Sequence, residues 1–228
     1  MTLSAKKENA AADDARNVVG TFENVHQFTE NNSGTEVPCY SKNSLSWPYS
    51  ATPEERAALF RKKLLSAALD YAENGYPVFP AMMVEGQKKP LVKWGKGEDG
   101  HPILRMRRAT TDPVTIKAWW ARWPLAMIGM PTGERSGVVV LDVDRKCGVD
   151  GLANLRVAGL DPFTITPIIA LTPSGGLHFF MRYSGPLKNS AGLLAAGVDV
   201  RGDGGYIVLP PSLPSIERDE YQWNRGRL

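Results

Sequence analysis

The chain has 228 residues, 43% of them hydrophobic and 22% charged, with a formal net charge of +3. That balance predicts a globular protein with room for a sizeable core and excludes collagen-like and wholly disordered classes. No apolar run approaches the roughly 20 residues that a membrane-spanning helix needs. The first twelve residues carry two lysines with no apolar segment behind them, so no secretory signal is expected.

Cys39 and Cys147 stand far apart, in neither disulfide-framework nor zinc-type spacing. The expected compartment is therefore the reducing cytoplasm, with no membrane partner. Charge is uneven: residues 1–55 hold four basic and eight acidic side chains, and the remainder is net basic. A basic folded part suits a polyanionic partner and equally suits a generic solvated surface.

Residues 1–52 are rich in Asn, Ser, Thr, Glu and Ala without a sustained period, which predicts a disordered acidic leader ahead of a domain over 53–228. Phe22, Val25 and Phe28 mark at most one short helix there. Thr52-Pro53-Glu54-Glu55 is a helix start, with a capping hydroxyl, a first-turn proline and two acids at the positive end. Leu64, Leu65, Ala68, Leu69 and Ala72 form its apolar stripe, and Asn74-Gly75 stops it.

Tyr76 to Pro80 reads as a short strand, at an edge or a strand start because of its prolines. Residues 85–108 read as a long loop. Lys88, Lys89, Lys93, Arg107 and Arg108 lie there around Trp94, a mix that suits phosphate gripping and base stacking or, equally, a solvated loop with the indole tucked inward.

Asp112-Pro113 opens a second helix with Ile116, Trp119, Trp120 and Trp123 on its apolar face, a core role rather than a ligand platform. Strands are expected at 126–130 and 137–144, a helix near 149–158, and an antiparallel hairpin from 165–171 and 177–183 around Thr172-Pro173-Ser174-Gly175-Gly176. Short strands follow at 197–201, 206–209 and near 221–223. Helices mixed with hairpin strands predict an α+β domain.

Three clusters fall at strand ends. In Gly137-Val138-Val139-Val140-Leu141-Asp142-Val143-Asp144 an apolar strand runs into two carboxylates that alternation puts on one face. Two such acids repel unless a cation or proton sits between them, which suits a divalent metal; many Asp-x-Asp pairs are plain caps or ion-pair partners. Lys146 stands where a haloacid-dehalogenase phosphatase would want Thr or Val, whereas a nucleotide-sugar transferase remains compatible with the motif.

The second cluster is Ser174-Gly175-Gly176-Leu177-His178, whose glycines permit close approach to a phosphate; His178, Phe180 and Arg182 share a face. The third is Asp199-Val200-Arg201-Gly202-Asp203, in which Asp199 and Arg201 share a face as an ion pair or as a metal ligand beside a phosphate clamp.

Taken together in this order, from about Leu64 to Trp223, the clusters resemble the bifunctional primase–polymerase (Prim-Pol) domain of the archaeo-eukaryotic primase superfamily. The likeness includes Gly75 to Pro80, Lys88-Lys89-Pro90, Thr111-Asp112-Pro113 with Trp119-Trp120, and Gly204-Gly205-Tyr206 running to Pro210-Pro211-Ser212.

The resemblance implies a primase-like core, an RRM-like mixed or antiparallel sheet packed with an N-terminal α/β unit. It implies Asp142, Asp144 and Asp199 as catalytic ligands of two Mg²⁺ or Mn²⁺ ions. Ser174, Gly175, Gly176, His178 and Arg201 become nucleotide contacts. The implied activity is template-dependent DNA priming and polymerisation from nucleoside triphosphates on single-stranded DNA, in replication of a phage, plasmid or integrated element, with a separate replicative helicase as partner. A non-catalytic DNA-binding replication accessory with the same fold is the alternative.

Overall fold

The computed structural model describes residues 52–92 and 108–228, apart from Cys147. The expected leader, Lys93, Trp94 and Arg107 lie outside the described residues. Helix α1 (Pro53–Glu73) begins as its sequence predicts. Thr52 accepts from the Glu55 backbone and donates its own backbone N–H to the Glu55 carboxylate, a capping box. Phe60, Leu64, Ala68, Tyr71 and Ala72 are its buried face. Helix α2 (Pro113–Arg122) is capped by Asp112 and buries Ile116 and Trp120.

Two larger antiparallel sheets follow. The four-stranded sheet has β1 (Phe79–Val84), β2 (Gln87–Pro90), β3 (Met127–Pro131) and β11 (Tyr206–Leu209) in the order β11-β3-β1-β2. The six-stranded sheet has β4 (Val138–Val143), β7 (Ile169–Leu171), β8 (Leu177–Arg182), β9 (Ser190–Ala191), β10 (Val198–Arg201) and β12 (Gln222–Arg225), in the order β12-β7-β8-β4-β10-β9. A small ribbon, β5 (Arg145–Lys146) with β6 (Val149–Asp150), leads into helix α3 (Gly151–Val157). The fold is α+β, with every pair of named strands antiparallel.

One expectation changes, and of the edge or strand-start alternatives for the prolines up to Pro80 the strand start holds. The stretch read as a loop from residue 85 begins with a hairpin: β2 pairs with β1 through Glu85-Gly86, both at positive φ. That is the backbone a two-residue primed turn needs. Strand β1 is also internal, lying between β3 and β2. Its prolines are tolerated because Pro77 precedes the strand and Pro80 sits at its second residue, while Pro90 closes the edge strand opposite Ala81. The hairpin of β7 and β8 is present, with its first strand shortened by a 3-10 turn at Pro162–Thr164.

The two sheets are tied by one pair of segments that meets twice. β3 pairs with β11 in the four-stranded sheet, and β4 pairs with β10 in the six-stranded one. Between them both chains change sheet at the same place. There Thr132 is buried, 2% exposed; its hydroxyl donates to Gly202 O at 2.7 Å and its N–H to Gly205 O at 3.0 Å. Asp203 accepts from the Glu134 and Leu187 backbone at 2.9 Å each. Gly133, at φ +81°, lies so close that a Cβ would fall 2.7 Å from the Asp203 Cα.

One apolar cluster spans this junction, joining Leu64 and Ile116 of the helices to Ile128, Val140 and Phe180 of both sheets. The other face of the six-stranded sheet packs Val139, Leu141 and Phe179 under Leu152 and Leu155 of α3. Thr132→Val keeps the volume but leaves the Gly202 carbonyl buried without that donor. It is expected to lower unfolding free energy by about 1–3 kcal/mol, read from urea denaturation of the whole chain.

Candidate active site

The functional side chains follow from register. Across three neighbouring strands His178 of β8 faces Asp142 of β4, and Asp142 faces Asp199 of β10. Side chains of directly opposed residues share a face, so an imidazole and two carboxylates form one row. Like charges set opposite each other are unfavourable, and the structure answers with a cation. Arg201 Nη2 donates to Asp142 Oδ2 at 3.2 Å and to Asp199 Oδ2 at 2.9 Å.

Asp144 lies just past the end of β4, held in extended backbone by its N–H to Gly197 O and by Gly151 N–H to its carbonyl. Its carboxylate pairs with Lys146 at 2.8 Å. The Asp142 side chain is 15% exposed. Burial pushes its carboxyl up, but His178, Arg201 and Lys88 outweigh this and hold it well below the usual carboxylate range.

His178 is completely buried. Its Nε2 lies 3.4 Å from Asp142 Oδ1, close enough to act electrostatically but too poorly aligned for a hydrogen bond. Neither ring nitrogen has an aligned partner among the described residues. Buried polar atoms are rarely left so, and here one of them faces the Asp142 carboxylate.

The Ser174-Gly175-Gly176 turn abuts the same strand end. A Cβ on Gly176 would stand 2.7 Å from Val143 O, so only glycine lets the turn sit against the backbone leading into Asp144. The N–H groups of Gly175 and Gly176 are both used inside the turn, bonding the Thr172 carbonyl and hydroxyl. The exposed Ser174 hydroxyl, 3.1 Å from Thr172 Oγ1, is the polar group this turn presents.

Lys88 arrives from the other sheet. Burial lowers its pKa, countered by Asp142 and reinforced by Arg201 and Lys146, with Asp144 also in range. It lies in strand β2 opposite Met83 rather than in a loop, within electrostatic range of Asp142 and Asp144. Lys89 pairs instead with Glu85 at 3.4 Å, and Arg108 is exposed. Arg182 is not brought in: it faces Val138, four residues along β4 from Asp142.

Two more residues reach the site unforeseen. Lys146 follows Asp144 at i+2, a spacing visible in the sequence. Tyr221 packs its ring 5.6 Å from the His178 ring, and no local pattern announces it.

The donor set suits a hard divalent cation. Asp142 and Asp199 bring their oxygens within 3.2 Å of a single cationic nitrogen, and carboxylate oxygens favour Mg²⁺ or Mn²⁺ over softer metals. Among the described residues no three acidic, His or Cys side chains gather closely enough to hold an ion; Arg201 pairs with Asp142 and Asp199, and Lys146 with Asp144.

Arg201→Ala leaves Asp142 and Asp199 facing each other without their shared guanidinium. A carboxyl whose folded pKa is depressed stabilises the fold above its unfolded pKa, and that contribution is lost as pH falls through the folded value. The variant is expected to lose about 1–2 kcal/mol at pH 7, a value discounted because Arg201 is 37% exposed. The gap from the natural chain should narrow on going below pH 4, read by urea denaturation at both conditions.

The family model described as bifunctional DNA primase/polymerase, N-terminal (Prim-Pol), matches residues 68–227. Comparison with curated proteins gives no match. The matched span covers both large sheets and runs through all three motif clusters, well over half of the sequence. The chain belongs to the Prim-Pol family of bifunctional DNA primase/polymerase N-terminal domains.

Proposed function

We propose that this chain is a template-dependent nucleotidyltransferase that makes and extends primers, joining nucleoside triphosphates to a primer 3′-hydroxyl on single-stranded DNA. The observation that carries the reading is the row His178–Asp142–Asp199 crossed by the Arg201 guanidinium, in a chain of this family. Asp142, Asp144 and Asp199 would hold two Mg²⁺ or Mn²⁺ ions. Such ions, when bound, neutralise phosphate charge and favour in-line displacement at phosphorus.

The chain's own groups would do the rest. Arg201, part-exposed beside the carboxylates, offers the remainder of its planar fork to phosphate oxygens. Lys88 adds a point charge from the opposite sheet. His178 has ring nitrogens without aligned partners among the described residues, and one can donate to a phosphate oxygen. The Ser174 hydroxyl, at a turn seated by Gly175 and Gly176, lies beside the Asp144 strand end and completes the nucleotide contacts.

Lys89 and Arg108 are the described basic residues proposed to track the template backbone, with Lys93 and Arg107 completing the set. Catalysis of this kind needs positioning and charge neutralisation above all, and no side chain is assigned as a dedicated base. Replication of a phage, plasmid or integrated element, alongside a separate helicase, is the proposed setting.

The test is primer synthesis and extension on a labelled template with Mg²⁺ or Mn²⁺, each nucleotide set supplied separately. Asp142→Asn keeps the side-chain shape and leaves Arg201 paired with Asp199. Incorporation is expected to fall by about a hundred- to thousandfold or more, with circular dichroism unchanged. Undiminished synthesis in that variant removes the carboxylate reading. A natural chain that binds single-stranded DNA without synthesis with either metal supports the accessory role instead.

A further inference from the structure

We propose that Tyr221 is a positioning residue of this site: its ring fixes the His178 imidazole and the Lys88 ammonium, which come from two different sheets, in the arrangement that receives a triphosphate. The ligand rests on the function proposed above; the positioning itself does not.

Tyr221 is 2% exposed and stands immediately before β12. Its ring centroid lies 5.6 Å from that of His178, tilted by 33°. The Lys88 Nζ lies 5.3 Å from the same centroid. Among the described residues His178 has no aligned hydrogen bond at either nitrogen, so its ring orientation depends on what packs against it. Its aromatic neighbours there are Tyr221 and Phe180, the latter at 6.2 Å. Lys88 has a rotamer-rich stem, and fixing it before a ligand arrives removes part of the ordering cost of binding.

The tyrosine is itself held firmly. Its N–H donates to Ser212 O at 2.7 Å, and the Ser212 hydroxyl accepts from Ile128 N–H at 2.7 Å. Two residues on, Trp223 packs 5.1 Å from Phe180 and donates from Nε1 to the Tyr71 hydroxyl. The Tyr71 hydroxyl donates in turn to Pro210 O at 2.7 Å. In register, Trp223 faces Ala170 and Ala170 faces His178. The small alanine leaves room for rings from the edge strand to reach the histidine strand. Lys88 is fixed from the other side by the Tyr206 hydroxyl, which donates to its carbonyl.

Both contacts are made by the ring, so the hydroxyl is dispensable. The experiment measures binding of dATP and ATP to the full chain by calorimetry with Mn²⁺, with thermal unfolding of each variant alongside. Tyr221→Leu is expected to weaken binding about tenfold and Tyr221→Phe by no more than about twofold. Lys88→Ala should also cost about tenfold, and the double variant Tyr221→Leu/Lys88→Ala should fall short of the roughly hundredfold loss that additivity gives, the loss beyond Lys88→Ala alone being the share carried by His178. A purely structural role predicts additive losses instead.

Additive losses, natural-chain affinity in Tyr221→Leu, or Tyr221→Phe as weak as the leucine variant each overturn the proposal. Tyr221→Met takes the leucine variant's place in the cycle if that variant unfolds. A second reading needs no nucleotide: the His178 Cε1–H resonance, shielded by the tyrosine ring, should move in Tyr221→Leu and stay in Tyr221→Phe. If the natural chain binds neither nucleotide, the proposed function fails, and this resonance alone decides the positioning role; an unmoved signal ends it.

Discussion

Everything at the site depends on two segments, residues 127–143 and 198–209, pairing twice while crossing together from one sheet to the other. Hydrogen bonds at the crossing, from Thr132 to Gly202 and Gly205 and from Glu134 to Asp203, leave no slack in register. A slip of one residue would turn every side chain of β10 to the opposite face. Asp199 would then leave Asp142 and join the apolar layer under α3, where a lone carboxylate is costly. The acids therefore meet because the backbone cannot do otherwise.

That meeting carries its own electrostatic demand. Two carboxylates on opposed residues need positive charge, and Arg201 supplies it at 3.2 Å from Asp142 and 2.9 Å from Asp199, while Lys146 pairs with the neighbouring Asp144 at 2.8 Å. Lys88 contributes from the other sheet, and burial lowers its pKa. The site thus balances acids and bases at close range: carboxylates suit cations, and the basic groups suit phosphates. The metal-bound triphosphate proposed above would ask for this pairing of opposite needs.

Aromatic packing supplies the rigidity that hydrogen bonds do not. Tyr221 and Trp223 repeat the i, i+2 spacing of His178 and Phe180, ring against ring. This matched pair anchors the histidine strand to the edge of the sheet. It also brings residues near the end of the described chain into contact with residues introduced at position 88.

Local chemistry made much of this legible from residue order. The α1 cap, the valine run into Asp142 and the Gly-Gly turn are short-range features, each readable within a few residues because hydrogen bonds and alternation act there. Alternation even foretold that Asp199 and Arg201 share a face. Tertiary structure alone decided that β1 is internal, that β11 leaves its neighbour β10 for the other sheet, and that Arg201 bridges both carboxylates. It alone brought Tyr221 to both His178 and Lys88. Such contacts join positions more than forty residues apart. Their energy comes from burial and pairing between elements, and no local pattern in the chain encodes which partner each will find.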